Sequence, residues 1–81
     1  MTREVIFERI NAIFRDVFDD DSIVVVDETM ADHIEDWDSL MHINLVLAIE
    51  SEFGVKFSLS EVIGFQNVGE VADVIEARST K

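Results

Sequence analysis

The chain contains no cysteine, no proline, one tryptophan and three glycines in 81 residues. Without cysteine there are no disulfide staples, no thiolate metal ligands and no cysteine nucleophile, so packing alone must supply stability. With no proline, internal repeat or low-complexity tract, nothing marks a domain boundary, and residues 1–81 read as a single domain. Basic residues are scarce too: six Lys and Arg stand against 18 Asp and Glu, a formal net charge of −12. None of the six lies between Arg15 and Lys56, whereas residues 16–55 hold 12 of the 18 acids. Such a chain lacks the basic patch that nucleic acid requires, which argues against nucleic acid as a partner. It suits basic protein surfaces, approached through electrostatic steering.

Long hydrophobic runs are missing as well. The longest aliphatic stretch, Leu45–Ile49, is far too short to span a membrane. The N-terminus carries Glu4 and Glu8 among its apolar residues and has no signal-peptide core. A soluble, cytoplasmic monomer without membrane insertion is expected. Yet 48% of the residues are hydrophobic and the mean hydropathy is +0.19, so this is not a disordered acidic tail. At this length folding buries roughly 60% of the unfolded surface. That leaves little room for a deep, preformed active site.

What is present reads as helix. Between Thr2 and Phe18, Ile6, Ile10, Ile13 and Val17 recur at helical spacing beside Phe7, Phe14 and Phe18, with Thr2 as N-cap. The opposite face carries Arg3, Glu4, Glu8, Arg9, Arg15 and Asp16. Asp19-Asp20-Asp21 opposes the helix dipole and stops it. A long connection to Trp37 follows; its Ile23-Val24-Val25-Val26 run has no strand partner in the sequence, so we read it as a loop pinned by buried side chains. The second helix, about Ser39 to Phe53, offers Leu40, Ile43, Val46, Leu47, Ile49 and Phe53 as a wide apolar face, with Gly54 as its stop. Ser58-Leu59-Ser60-Glu61 fits a capping box opening a short third helix, ended near Gly64. Asn67-Val68-Gly69-Glu70 opens a last helix to about Arg78, burying Val68, Val71, Val74 and Ile75, with Arg78 and Lys81 near its negative end. The expected fold is all-α: a small four-helix bundle, three main helices plus a short third, with a long loop between the first two.

The most informative residues are Trp37-Asp38-Ser39-Leu40. Asp38 suits the N-cap, which puts Ser39 in the first turn, where amides point outward and the potential is positive. A phosphate ester on Ser39 would be favoured there. By themselves these three residues, Asp-Ser-Leu, are an ordinary helix start. Their context adds more: amphipathic helix, long acidic loop, Asp38-Ser39-Leu40 heading an apolar helix with Ile43 and Leu47-Ala48-Ile49-Glu50, then Glu52-Phe53-Gly54-Val55. Together with the short helix after Phe57-Ser58 and with Val68, this resembles the acyl carrier protein family from about Val5 to Ala77.

The resemblance implies a carrier with no catalytic residues. Ser39 would bear 4′-phosphopantetheine, transferred from coenzyme A by a separate, Mg²⁺-using phosphopantetheinyl transferase, with Asp38 and Leu40 framing the site. The thiol absent from the chain would arrive with the arm and hold acyl groups as thioesters. The second helix would dock acyl-transferring or condensing enzymes through their basic patches. An acyl chain would shelter in the core, for which Phe7, Leu47 and Ile63 are candidates. The sequence departs from the usual pattern of fatty-acid carriers: Glu35-Asp36-Trp37 precedes Asp38, and Met41 and Asn44 stand where acids are usual. Glu50 keeps an acid; Ser51 does not. Met41, Ile43, Asn44 and Glu50 are therefore the candidate docking residues of a specialised carrier in lipid, fatty-acid or specialised-metabolite synthesis.

Other readings carry less weight. His42 sits one turn after Ser39, but no Gly-x-Ser-x-Gly elbow or oxyanion-hole loop accompanies it, so it reads as a surface residue beside the arm. Asp19 to Asp21 lack the turn glycine and terminal glutamate of a calcium loop, so no metal site is expected there, only diffuse cation association. Trp37 reads as folding onto the bundle, and Met41 as either a contact beside the arm or a gap-filler. An aminoacyl, peptidyl or D-alanyl carrier, and an unmodified protein-binding helical module, stay open. The acid excess favours the acyl carrier.

Overall fold

The computed structural model describes residues 2–78, and the regular elements among them are all helical. The first helix, α1 (Arg3–Val17), opens where Thr2 Oγ1 accepts the Val5 N–H at 3.3 Å. Ile6, Ile10 and Phe14, one turn apart, form its buried seam. Phe18 ends it, and Asp19 follows in a left-handed conformation (φ 52°) that the helix cannot continue through. Asp20 then accepts the Ser22 hydroxyl (2.6 Å) and N–H (3.0 Å), which hold its carboxyl below the usual aspartate range.

All three cations expected on the solvent face of α1 turn toward other elements instead, Arg9 reaching Glu52 at 3.3 Å. Arg3 bridges Asp27, Asp73 (2.9 Å) and Glu76 (2.8 Å), joining the start of α1 to the loop and to the last helix. These carboxylates, Asp27 first, keep the guanidinium firmly protonated. Arg15 Nε donates to the Ile23 carbonyl at 2.7 Å.

The Ile23–Val26 run is the pinned loop its isolation implied. Val25 is 2% exposed, while Val24 and Val26 face water. In place of a strand partner, Asn11 accepts the Val25 N–H (2.7 Å) through Oδ1. Its Nδ2 donates to the Val25 carbonyl (3.1 Å) and to Phe7 O (2.8 Å). One amide side chain thereby satisfies both backbone groups of a buried residue. Beyond it, buried Thr29 accepts the Val26 N–H on Oγ1 (2.9 Å). A short 3₁₀ turn, Ala31–His33, which the pattern did not predict, is closed by His33 Nδ1 accepting the Met30 N–H (3.0 Å).

The loop also builds the start of the last helix. Counting α2 (Ser39–Phe53) and the short α3 (Leu59–Gly64) before it, this is α4 (Val68–Arg78). Thr29 O accepts the Val68 N–H and Asp27 O the Gly69 N–H, both at 2.9 Å. Asn67 Oδ1 caps Glu70 N–H (2.9 Å), as its position implied. Glu70 reaches back to Gln66 N–H (2.8 Å), one residue beyond the Asn67 amide that a reciprocal box would use. Glycine is required at position 69, because a Cβ there would lie 2.9 Å from the Asp27 carbonyl oxygen.

α3 opens on the expected capping box of Ser58 and Glu61. Arg78 grips Glu61 through both guanidinium nitrogens (2.8 and 2.5 Å), and with the Ser58 N–H holds its carboxyl below the usual range. Lys81 lies outside the described residues. On α4, Val68, Val71 and Ile75 are buried as expected, Ala72 joins them, and Val74 is only half-buried.

The larger correction concerns α2. Leu40, Ile43 and Leu47, expected on the core face, are 68%, 52% and 58% exposed. Val46, Ile49 and Phe53 are buried as expected, and Leu45 joins them, so the buried face is centred roughly half a turn from Leu40, Ile43 and Leu47. The helix is apolar nearly all round, so periodicity alone did not select a side. The seams of α1 and α4 did, with Val25 closing the cluster.

Candidate functional site

Ser39 is the first residue of α2 and is exposed. Asp38 precedes it in extended conformation (φ −112°, ψ −174°), its Oδ1 accepting Met41 N–H at 2.9 Å and its carbonyl accepting His42 N–H at 2.9 Å. The amides of Ser39 and Leu40 belong to the first turn, where helix geometry supplies no internal acceptor. The hydroxyl therefore sits in the positive potential of a helix N-terminus, open to a large partner. Glu35, Asp36 and Asp38, all exposed, make the approach acidic.

The loop ahead of Ser39 is held by an aromatic cluster. Trp37 is half-buried, edge-on to Phe14 (centroids 5.2 Å, 76°) and tilted over Phe18 (6.2 Å). Its packing onto the bundle is as expected. His42 is not the free surface residue the sequence implied. Its Nδ1 accepts the Trp37 indole N–H at 3.1 Å, and its Nε2 lies 2.8 Å from the Val62 carbonyl of α3. Both ring nitrogens are engaged, so the ring is not available as a base toward Ser39. His42 and Val62 are 20 residues apart, a separation that no helical periodicity links.

A cleft of about 640 Å³ opens beside Ser39, between α2, α3 and the loop. Phe14, Leu45, Ile49, Val68 and Val71 form its apolar lining, and Asp38 and Ser39 stand at its edge. Ile43, Leu59 and Ile63 line it while remaining 52%, 75% and 74% exposed. Of the three residues expected to shelter a chain, Ile63 is here, whereas Phe7 and Leu47 are not. Phe7 packs on the flank of α1 beneath Arg3 (5.5 Å), and Leu47 faces solvent.

The candidate docking residues divide. Ile43 and Asn44 are exposed and Met41 is half-buried. Leu40, Ile43 and Leu47 form an apolar stripe leading away from Ser39. Glu50 is half-buried, and its Oε2 accepts the Phe57 N–H at 2.8 Å, tying α2 to the connection before α3. Among the described residues no group of three or more His, Asp and Glu side chains is placed to hold a metal ion. Nor is any helix among them long and apolar enough to cross a membrane.

Residues 8–75 match the protein family described as phosphopantetheine attachment site. Among solved structures, the chain is similar to the holo acyl carrier protein of Geobacter metallireducens, determined in solution by NMR. The two are 43% identical with a TM-score of 0.85, over 91% of this chain and 85% of that one. No curated protein matches.

Proposed function

The chain belongs to the acyl carrier protein family of phosphopantetheine-attachment domains, and on that premise we propose that Ser39 is the residue bearing the arm. Members of this family are carriers, not catalysts, and their group is covalently attached 4′-phosphopantetheine. The observation that carries the assignment to Ser39 is its placement. An exposed hydroxyl heads α2, fixed by the Asp38 cap, where first-turn amides favour a phosphate ester. When bound, the arm supplies a thiol that holds an acyl group as a thioester.

The chain's own residues do the rest. Ser39 Oγ would lose its proton and form the ester bond to phosphorus delivered from coenzyme A, with adenosine bisphosphate leaving, in a separate transferase that would supply base and Mg²⁺. His42, one turn on, has both ring nitrogens engaged and does not activate the oxygen. Asp38 holds the turn, and Leu40 lies outside the core, next to the attachment point. The cleft beside Ser39 is apolar and large enough for part of an aliphatic chain, which supports an acyl cargo over a D-alanyl or aminoacyl one.

Docking falls to Met41, Ile43 and Asn44, with the acids of the loop steering basic partners from a distance. Glu50, engaged with Phe57, contributes less than its position implied. This face suits dedicated acyl-transferring or condensing enzymes of lipid or specialised-metabolite synthesis. The same proposal takes residues 1–81 as one carrier domain working as a cytoplasmic monomer; light scattering at the mass of one chain checks the last point.

The test is intact mass after incubation with coenzyme A and a promiscuous phosphopantetheinyl transferase. A gain of one arm, lost in Ser39→Ala, is expected. An unchanged wild-type mass would favour an unmodified protein-binding bundle.

A further inference from the structure

We propose that His42 is a positioning residue that clips the attachment loop and α3 to α2, so that cargo entering the cleft is felt at Ser39. The part concerning cargo rests on the assignment of Ser39 made above; the clip itself does not.

Donor chemistry fixes the state of the ring. An indole N–H can only donate, so Nδ1 of His42 must accept from Trp37 (3.1 Å). A carbonyl can only accept, so Nε2 must carry the proton toward Val62 O (2.8 Å). One species satisfies both: neutral imidazole protonated on Nε2. The indole and imidazole planes are 25° apart with centroids 5.9 Å apart. That near-coplanarity lets the indole N–H meet the in-plane lone pair of Nδ1, so the contact is an N–H···N bond and not face stacking. Because both bonds need the same tautomer, each supports the other.

The clip joins three elements at the place where they bound the cleft. Trp37 lies two residues before Ser39, His42 one helical turn after it, and Val62 in the middle of α3; all four line the cleft. The two walls are held unequally. Trp37 is anchored on Phe14 and Phe18. The six-residue α3 has no buried residue, and Leu59 and Ile63 are about three-quarters exposed. Apolar burial does little to hold it. It is kept in place by the His42–Val62 bond, by Arg78 on Glu61 and by the edge-on Phe57–Phe65 pair (5.4 Å). α3 is therefore the wall that yields when a chain enters. Its outward movement takes the Val62 carbonyl from Nε2. The ring then loses the partner that selects its tautomer, and the Trp37 bond weakens just ahead of Ser39.

The sole tryptophan makes the clip measurable. In ¹⁵N-labelled, unmodified protein, long-range ¹H–¹⁵N spectra should show His42 protonated on Nε2 and bare on Nδ1. Protonation on Nδ1 would overturn the clip. His42→Leu removes both bonds while retaining bulk; His42→Gln keeps an oxygen acceptor and an NH₂ donor, joined through one carbon as the two ring nitrogens are. In His42→Leu, hydrogen exchange should accelerate about tenfold both at the Trp37 indole N–H and at the amides of Val62 in α3 and of Phe65, which caps its end. His42→Gln should recover part of that protection. Faster exchange at Trp37 alone, with α3 unchanged, would refute the coupling. Finally, protein loaded with a medium-chain acyl arm, verified by mass, should show altered Trp37 emission and faster indole exchange. His42→Leu should show no further change on loading. A loaded wild type with unchanged Trp37 signals would overturn the link to cargo. Absence of any mass gain would overturn the assignment of Ser39 instead, with the clip then decided by the unmodified protein's spectra.

Discussion

Asn11 is the residue whose replacement most directly tests how this bundle builds its loop. Asn11→Leu keeps a similar volume but removes three hydrogen bonds: those to Val25 N–H (2.7 Å), Val25 O (3.1 Å) and Phe7 O (2.8 Å). Phe7 O keeps its helical partner, so its loss is small. Val25 N–H and C=O have no strand to turn to, and their residue is 2% exposed. At a net 0.5–1.5 kcal/mol per bond, with the added cost of orphaned backbone groups, the loss should be about 2–4 kcal/mol. A domain of this size has a total stability of roughly 4–12 kcal/mol, so the effect is large. Urea denaturation should show the midpoint falling by more than about 1 M with an unchanged slope. Hydrogen exchange at the Val25 amide should rise to the rate of an open loop. A loss below about 0.5 kcal/mol, or continued protection of Val25, would refute the view that a side-chain amide replaces a strand partner here.

Three further outcomes are expected. Gly69→Ala should cost about 1–3 kcal/mol in thermal melts, because its Cβ would press on the Asp27 carbonyl that caps α4; wild-type stability would show that this contact is not tight. Arg78 and the Ser58 amide lower the pKa of Glu61. Its contribution should therefore be present above the unfolded glutamate value, about 4.3, and vanish as pH falls through the lower folded value. Stability curves of wild type and Glu61→Gln should accordingly converge in acid, and a constant gap would contradict the pairing. Replacing Asp19, Asp20 and Asp21 by Asn should slow association with a basic partner enzyme at low salt and leave dissociation unchanged, whereas Met41→Asp should change which partner is accepted. Stopped-flow binding separates the two.

The helix ends were legible because each is decided within one turn. Thr2, Asp38, Ser58 and Asn67 each accept an amide three residues ahead, so residue type and spacing suffice to place α1 to α4 and to put Ser39 at a helix head. The acid excess and the empty stretch of bases between Arg15 and Lys56 were likewise properties of the chain alone. The Asp-Ser-Leu context carried the family for the same reason: attachment chemistry needs a hydroxyl beside first-turn amides, and that is a local arrangement.

The tertiary structure decided what depends on distant partners. Leu40, Ile43 and Leu47 have the same chemistry as Leu45, Val46 and Ile49, so only the seams of α1 and α4 could choose which set to bury. That choice turned Leu40, Ile43 and Leu47 from expected core residues into the outer stripe beside the attachment serine, while Val46, Ile49 and Phe53 stayed buried as expected. Asn11 meets Val25 across 14 residues, His42 meets Val62 across 20, and Arg3 meets Asp73 across 70. None of these pairs follows from periodicity, because a buried or half-buried polar group takes whichever partner the folded chain brings within reach. The sequence alone therefore determined the helices, the charge and the place of Ser39. The cleft beside it, and the ring that joins its walls, came from how those helices packed.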